Sequence, residues 1–280
     1  MTATDLSVDL ETRYERLREL VGGLESVAVA FSGGVDSTFL LRVCHDLLGD
    51  RAVAVTTRSH SFPARELRAA ADYCRQAGIR HIVCDFEELS IAGFADNPTN
   101  RCYLCKTGLM GHVRQVAQSQ GLAQVVDGSN RDDDGDYRPG LIALAEQGVR
   151  SPLREVGLSK ADIRQLSRRL GLSTWDKPSF ACLASRIPYG ETITAQRLDM
   201  IDRAEQVLLD LGLKQVRVRS HGRLARIETD EDGFQRLSDQ SVRQRVHRAL
   251  RRLGFTYVTC DLLGYRTGSL NETLELEPVS

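Results

Sequence analysis

The chain has 280 residues, 41% hydrophobic and 27% charged, with a formal net charge of -1. That length holds one large domain, or a medium domain plus a small one. The near-neutral charge excludes a global field that would draw the chain onto nucleic acid or anionic lipid, and no run of about 18 apolar residues offers a membrane span.

The opening stretch, MTATDLSVDLETRYERLREL, has neither a basic n-region nor an apolar h-region. It reads as an amphipathic helix and not as a signal peptide, so a cytoplasmic location is expected. There, seven cysteines read as metal ligands or redox groups sooner than as disulfides. Residues 26–31 read as a buried strand, 36–48 as a helix and 52–56 as a second strand. A helix over 63–77 opens on Pro63. Residues 79–84 form a third strand, 101–120 a helix and 124–127 a fourth strand. Strands alternating with helices predict an α/β fold, a parallel sheet with helices on both faces. Ligands of such sheets lie beyond the carboxyl ends of the strands. Residues 173–192 lack periodicity and hold Pro178 and Pro188, which reads as a functional loop and linker. A helix over 195–211, strands over 215–219 and 224–228, a helix over 238–253 and a strand over 257–259 then form a small α+β unit. The expected organisation is therefore 1–172, 173–192 and 193–280.

The first specific signal is Ser32-Gly-Gly-Val-Asp-Ser37 between the first strand and its helix. Gly33 and Gly34 let the backbone turn tightly and approach an anion. Ser32 and Ser37 supply hydroxyls, and the helix start points free N–H groups at the same spot. The spacing is shorter than GxxxxGK[ST] and there is no lysine, so this is not a Walker-type loop. It resembles the PP-loop of the ATP pyrophosphatases, which cleave ATP between the α and β phosphates. That resemblance makes Asp36 a carboxylate on the Mg²⁺ side. Asp127-Gly128-Ser-Asn130 after the fourth strand, followed by an acidic run, would lie beside the nucleotide; the plainer reading is a solvated turn.

Cys102 and Cys105 form a CxxC, read alone as a redox pair, half a zinc site or part of an iron–sulfur site. Cys182 is the candidate third ligand, in a loop flanked by Lys177 and Arg186, which would favour its thiolate. Three cysteines on a [4Fe–4S] cluster leave one iron open. A zinc site would recruit His112 or His221. Cys44, Cys74, Cys84 and Cys260 read as core. The basic residues comprise 33 Arg and only 4 Lys: Lys106, Lys160, Lys177 and Lys214.

SGGVDS, Asn100-Arg-Cys-Tyr-Leu-Cys-Lys106, Asp136-Tyr-Arg-Pro-Gly140, SPLREVGLSK (151–160) and PSFACLASRIPYG (178–190) together resemble the LarE family. These are ATP-dependent sulfur transferases of nickel-pincer nucleotide biosynthesis, within the PP-loop ATP pyrophosphatase superfamily. The resemblance runs from about residue 10 to 275. It implies an adenine nucleotide α-hydrolase-like fold and the substrate pyridinium-3,5-biscarboxylic acid mononucleotide. ATP and Mg²⁺ would activate a substrate carboxylate as the acyl adenylate, a protein-borne sulfur would displace AMP, and two rounds would give the bisthiocarboxylic acid. The family has two sulfur sources. In one, a single cysteine surrenders its sulfur and becomes dehydroalanine. In the other, three cysteines hold a [4Fe–4S] cluster that delivers a replenishable sulfide. Cys102 and Cys105 beside Cys182 match the second. In the C-terminal unit Arg217 and Arg219 alternate with Val, sharing one strand face suited to a substrate phosphate, and Glu205 and Glu228 are candidates for a divalent metal. From 217 to 252 there are ten Arg against five acidic residues; solvated faces explain the helical ones equally well. A homo-oligomer, such as a hexamer, and an external sulfide source are implied as well.

Rival readings remain at this level. A tRNA thiolase would share the loop and the cysteines, but one basic helix is a thin RNA footprint, so no tRNA is expected. An amidating ligase would leave the cysteines idle. A nucleotide sensor would need neither Asp36 nor the cysteines.

Overall fold

The computed structural model describes residues 3–135, 139–178, 181–266 and 268–269. Asp136, Tyr137 and Arg138 of the expected 136–140 motif lie outside the described residues, as do Ser179 and Phe180 of the cysteine loop. The chain divides into two units. The first comprises Met1–Ile91 and Asn100–Phe180, the second Ala92–Thr99 and Ala181–Ser280.

In the first unit α1 (Ala3–Gly22) precedes β1 (Val27–Ala30), α2 (Val35–Leu48), β2 (Ala52–Arg58), α3 (Ala64–Ala77) and β3 (His81–Asp85). Then come α4 (Arg101–Ser119), β4 (Gln124–Val126), α5 (Pro139–Glu146), the short α6 (Pro152–Glu155) and α7 (Lys160–Arg169). The four strands are parallel, in the order β3-β2-β1-β4. Successive strand residues face opposite ways, and the cores follow that rule. Val27, Val29, Ala52 and Ala54 join Leu17, Phe39, Leu40, Ile163 and Leu166 on one face. Ala28, Val53, Val55 and Val125 join Met110, Val113 and Leu144 on the other. Both faces are covered, which is why these strands read as continuous apolar runs. The third strand starts two residues later than its sequence suggests. Gly78 closes α3 in the left-handed region at φ +68°, and the Ile79 N–H bonds back to the Cys74 carbonyl at 2.9 Å. Ile79 thus belongs to the helix cap.

The second unit contains α8 (Ala195–Asp210), β5 (Val216–His221), β6 (Leu224–Thr229), α9 (Glu231–Ser238), α10 (Gln240–Leu253) and β7 (Tyr257–Cys260). β5 and β6 are antiparallel, and β7 adds to β6 in parallel. Val216, Val218, Ala225 and Ile227 pack on Leu208, Leu250 and Phe255. Where one helix was expected over 238–253, the final helix starts at 240. Asp239 accepts the N–H groups of Ser241 and Val242, so it caps α10. α9 was not anticipated; Asp230 caps it through the Gly233 N–H.

Segment 92–99 is held by hydrogen bonds within this unit. The buried Asn97, left-handed at φ 56°, donates through Nδ2 to the carbonyls of Ile187 (3.2 Å) and Pro188 (2.6 Å). Its own carbonyl accepts from Gly190, and that of Ala95 from Ile193. No described helix is long and apolar enough to cross a membrane.

Candidate active site

Sheet order creates a switch point: the chain runs from β1 outward to β3, then returns to place β4 on the other side of β1. The crevice at the carboxyl ends of β1 and β4 is where ligands of such sheets gather. Residues 32–37 leave β1 there, and 127–130 leave β4. Gly33 has φ +69°, and a Cβ on it would lie 3.2 Å from the Ala70 Cβ, so both conformation and space require glycine. Gly34 is the N-cap of α2. Ser32 and Ser37 bring their Oγ atoms within 3.1 Å of each other. An anion entering the turn would meet both hydroxyls and the first N–H groups of a 14-residue helix.

Gly128 forms the second wall. A Cβ there would stand 2.9 Å from the Ser37 backbone N and 3.1 Å from its Cα. Gly128→Ala is therefore expected to force the two loops apart, at a cost of about 1–3 kcal/mol. A lowered thermal midpoint together with weakened ATP binding would register this; an unchanged midpoint would refute it. Asp127, buried beside Gly128, accepts from Ser129 Oγ (2.7 Å) and Ser151 Oγ (2.6 Å), with Lys106 Nζ 3.6 Å away. The acidic run also does structural work: Asp132 accepts the backbone N–H of Lys160, the first residue of α7.

Asp36 projects from the first turn of α2. Its Oδ2 takes the ammonium of Lys160, while its Oδ1 is buried with no hydrogen-bond partner among the described residues. Burial raises its pKa from the ordinary aspartate value; Lys160 opposes that and Asp133 adds to it. An orphaned hard oxygen beside an anion cradle fits Mg²⁺. Lys177 donates to the Gly33 carbonyl (3.0 Å) and to Glu66 (2.6 Å). Three of the four lysines thus surround the crevice. Sequence reasoning missed Lys160 and Lys177 as neighbours of the loop, although the scarcity of lysine in an arginine-rich chain was the available signal.

The cysteines separate by environment. Cys44 and Cys74 are buried, and burial pushes both thiols up to about 12. Cys84 and Cys260 are half-buried against the apolar clusters. Cys102 and Cys182 are exposed, and Cys105 is half-buried. Cys102 and Cys105 lie one turn apart at the start of α4, on one helix face. His112 is about two further turns along, its ring tilted 32° to that of Phe86 with the centroids 6.1 Å apart. Among the described residues no three His, Cys, Asp or Glu side chains gather into a metal-binding group. The thiols themselves are donors of the kind iron–sulfur clusters take.

Both cations that flank Cys182 in sequence have partners of their own. Lys177 is engaged by Gly33 and Glu66. Arg186 is fully buried, pairs with Glu205 (Nε to Oε1 2.8 Å), and donates through Nη1 to the carbonyls of Ala181 (2.7 Å) and Cys182 (3.1 Å). Its role is to shape the backbone of the cysteine loop. The Cys182 carbonyl also accepts from the N–H and Oγ of Ser185, so the backbone is fixed while the thiol stays exposed.

Arg217 and Arg219 share a face of β5, as expected, and both are buried. Arg219 reaches Glu228 (2.7 Å), Ser269 (2.9 Å) and the Ser185 carbonyl (2.8 Å). Arg217 stacks on Tyr265 at 5.0 Å. Burial, reinforced by Arg186, lowers its guanidinium to about 10. Glu205 and Glu228, read from sequence as metal candidates, are counter-charges here. Glu205 holds Arg186 and the Val218 N–H, and Glu228 holds Arg219 and Arg226.

A parallel sheet with this glycine turn at its switch point defines the adenine nucleotide α-hydrolase-like, PP-loop class. No family model matches the chain. It is 45% identical to an uncharacterised protein of Synechocystis over 95% of this chain and 99% of that one. It is 39% identical to the pyridinium-3,5-bisthiocarboxylic acid mononucleotide synthase of Lactiplantibacillus plantarum, over 95% and 96%. A tRNA-specific 2-thiouridylase of Bradyrhizobium diazoefficiens is more distant, 28% identical over 73% of this chain and 60% of that protein. The chain belongs to the LarE family.

Proposed function

We propose that the protein transfers sulfur to pyridinium-3,5-biscarboxylic acid mononucleotide in the cytoplasm, as a homo-oligomer, using ATP to activate each carboxylate. The full-length similarity to the L. plantarum synthase carries this reading, and the geometry agrees with it. The triphosphate would sit on Ser32, Gly33, Gly34 and Ser37, with Gly128 along the nucleotide and Asp36 holding Mg²⁺. A substrate carboxylate oxygen attacks the α-phosphorus, pyrophosphate leaves, and a protein-borne sulfur then displaces AMP to give the thiocarboxylate. A carboxylate alone is a poor electrophile; AMP is the leaving group that makes the second step possible. Arg217 and Arg219 would hold the substrate phosphate, an anion that repays the cost of burying Arg217 beside other cations.

Cys102, Cys105 and Cys182 would hold a [4Fe–4S] cluster, which when bound supplies an open iron for a sulfide drawn from an external source. The test is anaerobic purification with iron and sulfide quantitation, an absorption spectrum, and assay of pyrophosphate release with substrate. Stoichiometric iron, a broad band at about 400 nm and substrate-dependent pyrophosphate are expected. Iron-free protein that loses the mass of H₂S from Cys182 on turnover would replace the cluster by the sacrificial route. Tight, salt-sensitive tRNA binding would overturn the substrate.

A further inference from the structure

The phosphate loop touches two cations that the proposed reaction has not used, Lys160 through Asp36 and Lys177 through the Gly33 carbonyl, and Lys177 is the one on the glycine turn itself. Lys177 Nζ donates at once to the Gly33 carbonyl (3.0 Å) and to Glu66 Oε2 (2.6 Å). Glu66 lies in the first turn of α3, one turn before Ala70, the residue lying against Gly33. The carboxylate is buried and on the helix face that meets the loop. Like charges repel, so an uncovered Glu66 opposes a triphosphate at this turn. Arg65 Nε, 3.9 Å from Glu66 Oε1, gives the carboxylate a second cation if Lys177 leaves. On the lysine side, Arg164 of α7 donates to the carbonyls of Trp175 and Lys177, each at 2.8 Å. The backbone carrying Lys177 is therefore pinned, and its flexible stem is the part free to move. An ammonium is a point charge that exchanges partners without the orientation demands of a guanidinium. In a chain with 33 Arg and 4 Lys, a lysine stands at this point of contact with the loop.

We propose that Lys177 is a ligand of the ATP triphosphate, held by Glu66 until nucleotide arrives. The proposal rests on the reading that this loop binds ATP. On binding, Nζ exchanges Glu66 Oε2 for phosphate oxygen while staying beside Gly33. ATP affinity is then a competition between Glu66 and phosphate for one ammonium. A purely structural Lys177, bracing the Gly33 turn through Glu66, makes the opposite demand on Glu66.

The two roles separate by the sign of one substitution. Binding of Mg²⁺–ATP to the full-length protein is measured by calorimetry for wild type, K177Q and E66Q, with thermal melts to confirm folding. K177Q is expected to weaken binding about ten- to a hundredfold, the range for hydrogen bonds to charged groups. E66Q is expected to tighten it by up to about fivefold. Trp175, the single tryptophan, should change its emission on ATP addition in wild type and lose that change in K177Q. E66Q that weakens binding or leaves it unaltered overturns the proposal, and decides the matter alone if K177Q does not fold. K177Q that binds ATP like wild type also overturns it, leaving the function intact. Wild-type protein that binds no ATP overturns both.

Discussion

Cys182→Ala is expected to lower sulfur transfer by at least about a thousandfold while ATP affinity stays within about twofold of wild type. Cys182 leads into a short 3-10 turn, Leu183–Arg186, with its carbonyl held by Ser185 and Arg186 and its thiol exposed. Alanine keeps that backbone and removes only sulfur. The loss follows whether Cys182 gives up its own sulfur or serves as a third ligand, so a companion pair of variants separates the routes. Cys102→Ala and Cys105→Ala should be as inactive as Cys182→Ala if three thiolates act together. If either retains turnover while the mass of Cys182 falls, that thiol is sacrificed. Single-turnover thiocarboxylate formation, followed by mass spectrometry of the protein, reads both outcomes.

Arg186→Ala is expected to destabilise the second unit by about 3–5 kcal/mol. Arg186 and Glu205 are both fully buried and bonded through two contacts, 2.8 and 3.2 Å. Removing the guanidinium leaves the Glu205 carboxylate buried without its partner cation, still accepting the Val218 N–H at 3.1 Å, and takes a donor from the Ala181 and Cys182 carbonyls. Hydrogen exchange in α8 and β5 should accelerate by about two to three orders of magnitude. The double variant Arg186→Met with Glu205→Leu should recover most of the loss, because a buried ion pair replaced by apolar groups of similar size costs little. Exchange rates in Arg186→Ala equal to wild type would show that the pair carries no net stability.

The layered sheet was legible because its signals are local. Apolar runs such as 27–30 and 52–55 are strands with both faces covered, and SGGVDS declares its turn by glycines that sterics demand. α9 was missed because Asp230-Glu-Asp-Gly233 has the composition of a loop, although Asp230 is a capping residue. The ion pairs around the phosphate loop are a different case. Lys160 lies 124 positions from Asp36, and Lys177 lies 144 from Gly33; no periodicity links residues so far apart. For the same reason Arg186 invited reading as a field on its neighbour Cys182, when its charge is committed to Glu205.

The path of the chain also constrains the order of assembly. Segment 92–99 belongs to the second unit, yet it is synthesised well before α8 and the strands that follow. The second unit cannot close until the ribosome has delivered residues beyond 181, so Asn97 must wait for the Ile187 and Pro188 carbonyls it finally holds. A gene fragment starting at Ala181 would encode this unit without those contacts. Any attempt to graft it onto another enzyme must carry residues 92–99 along.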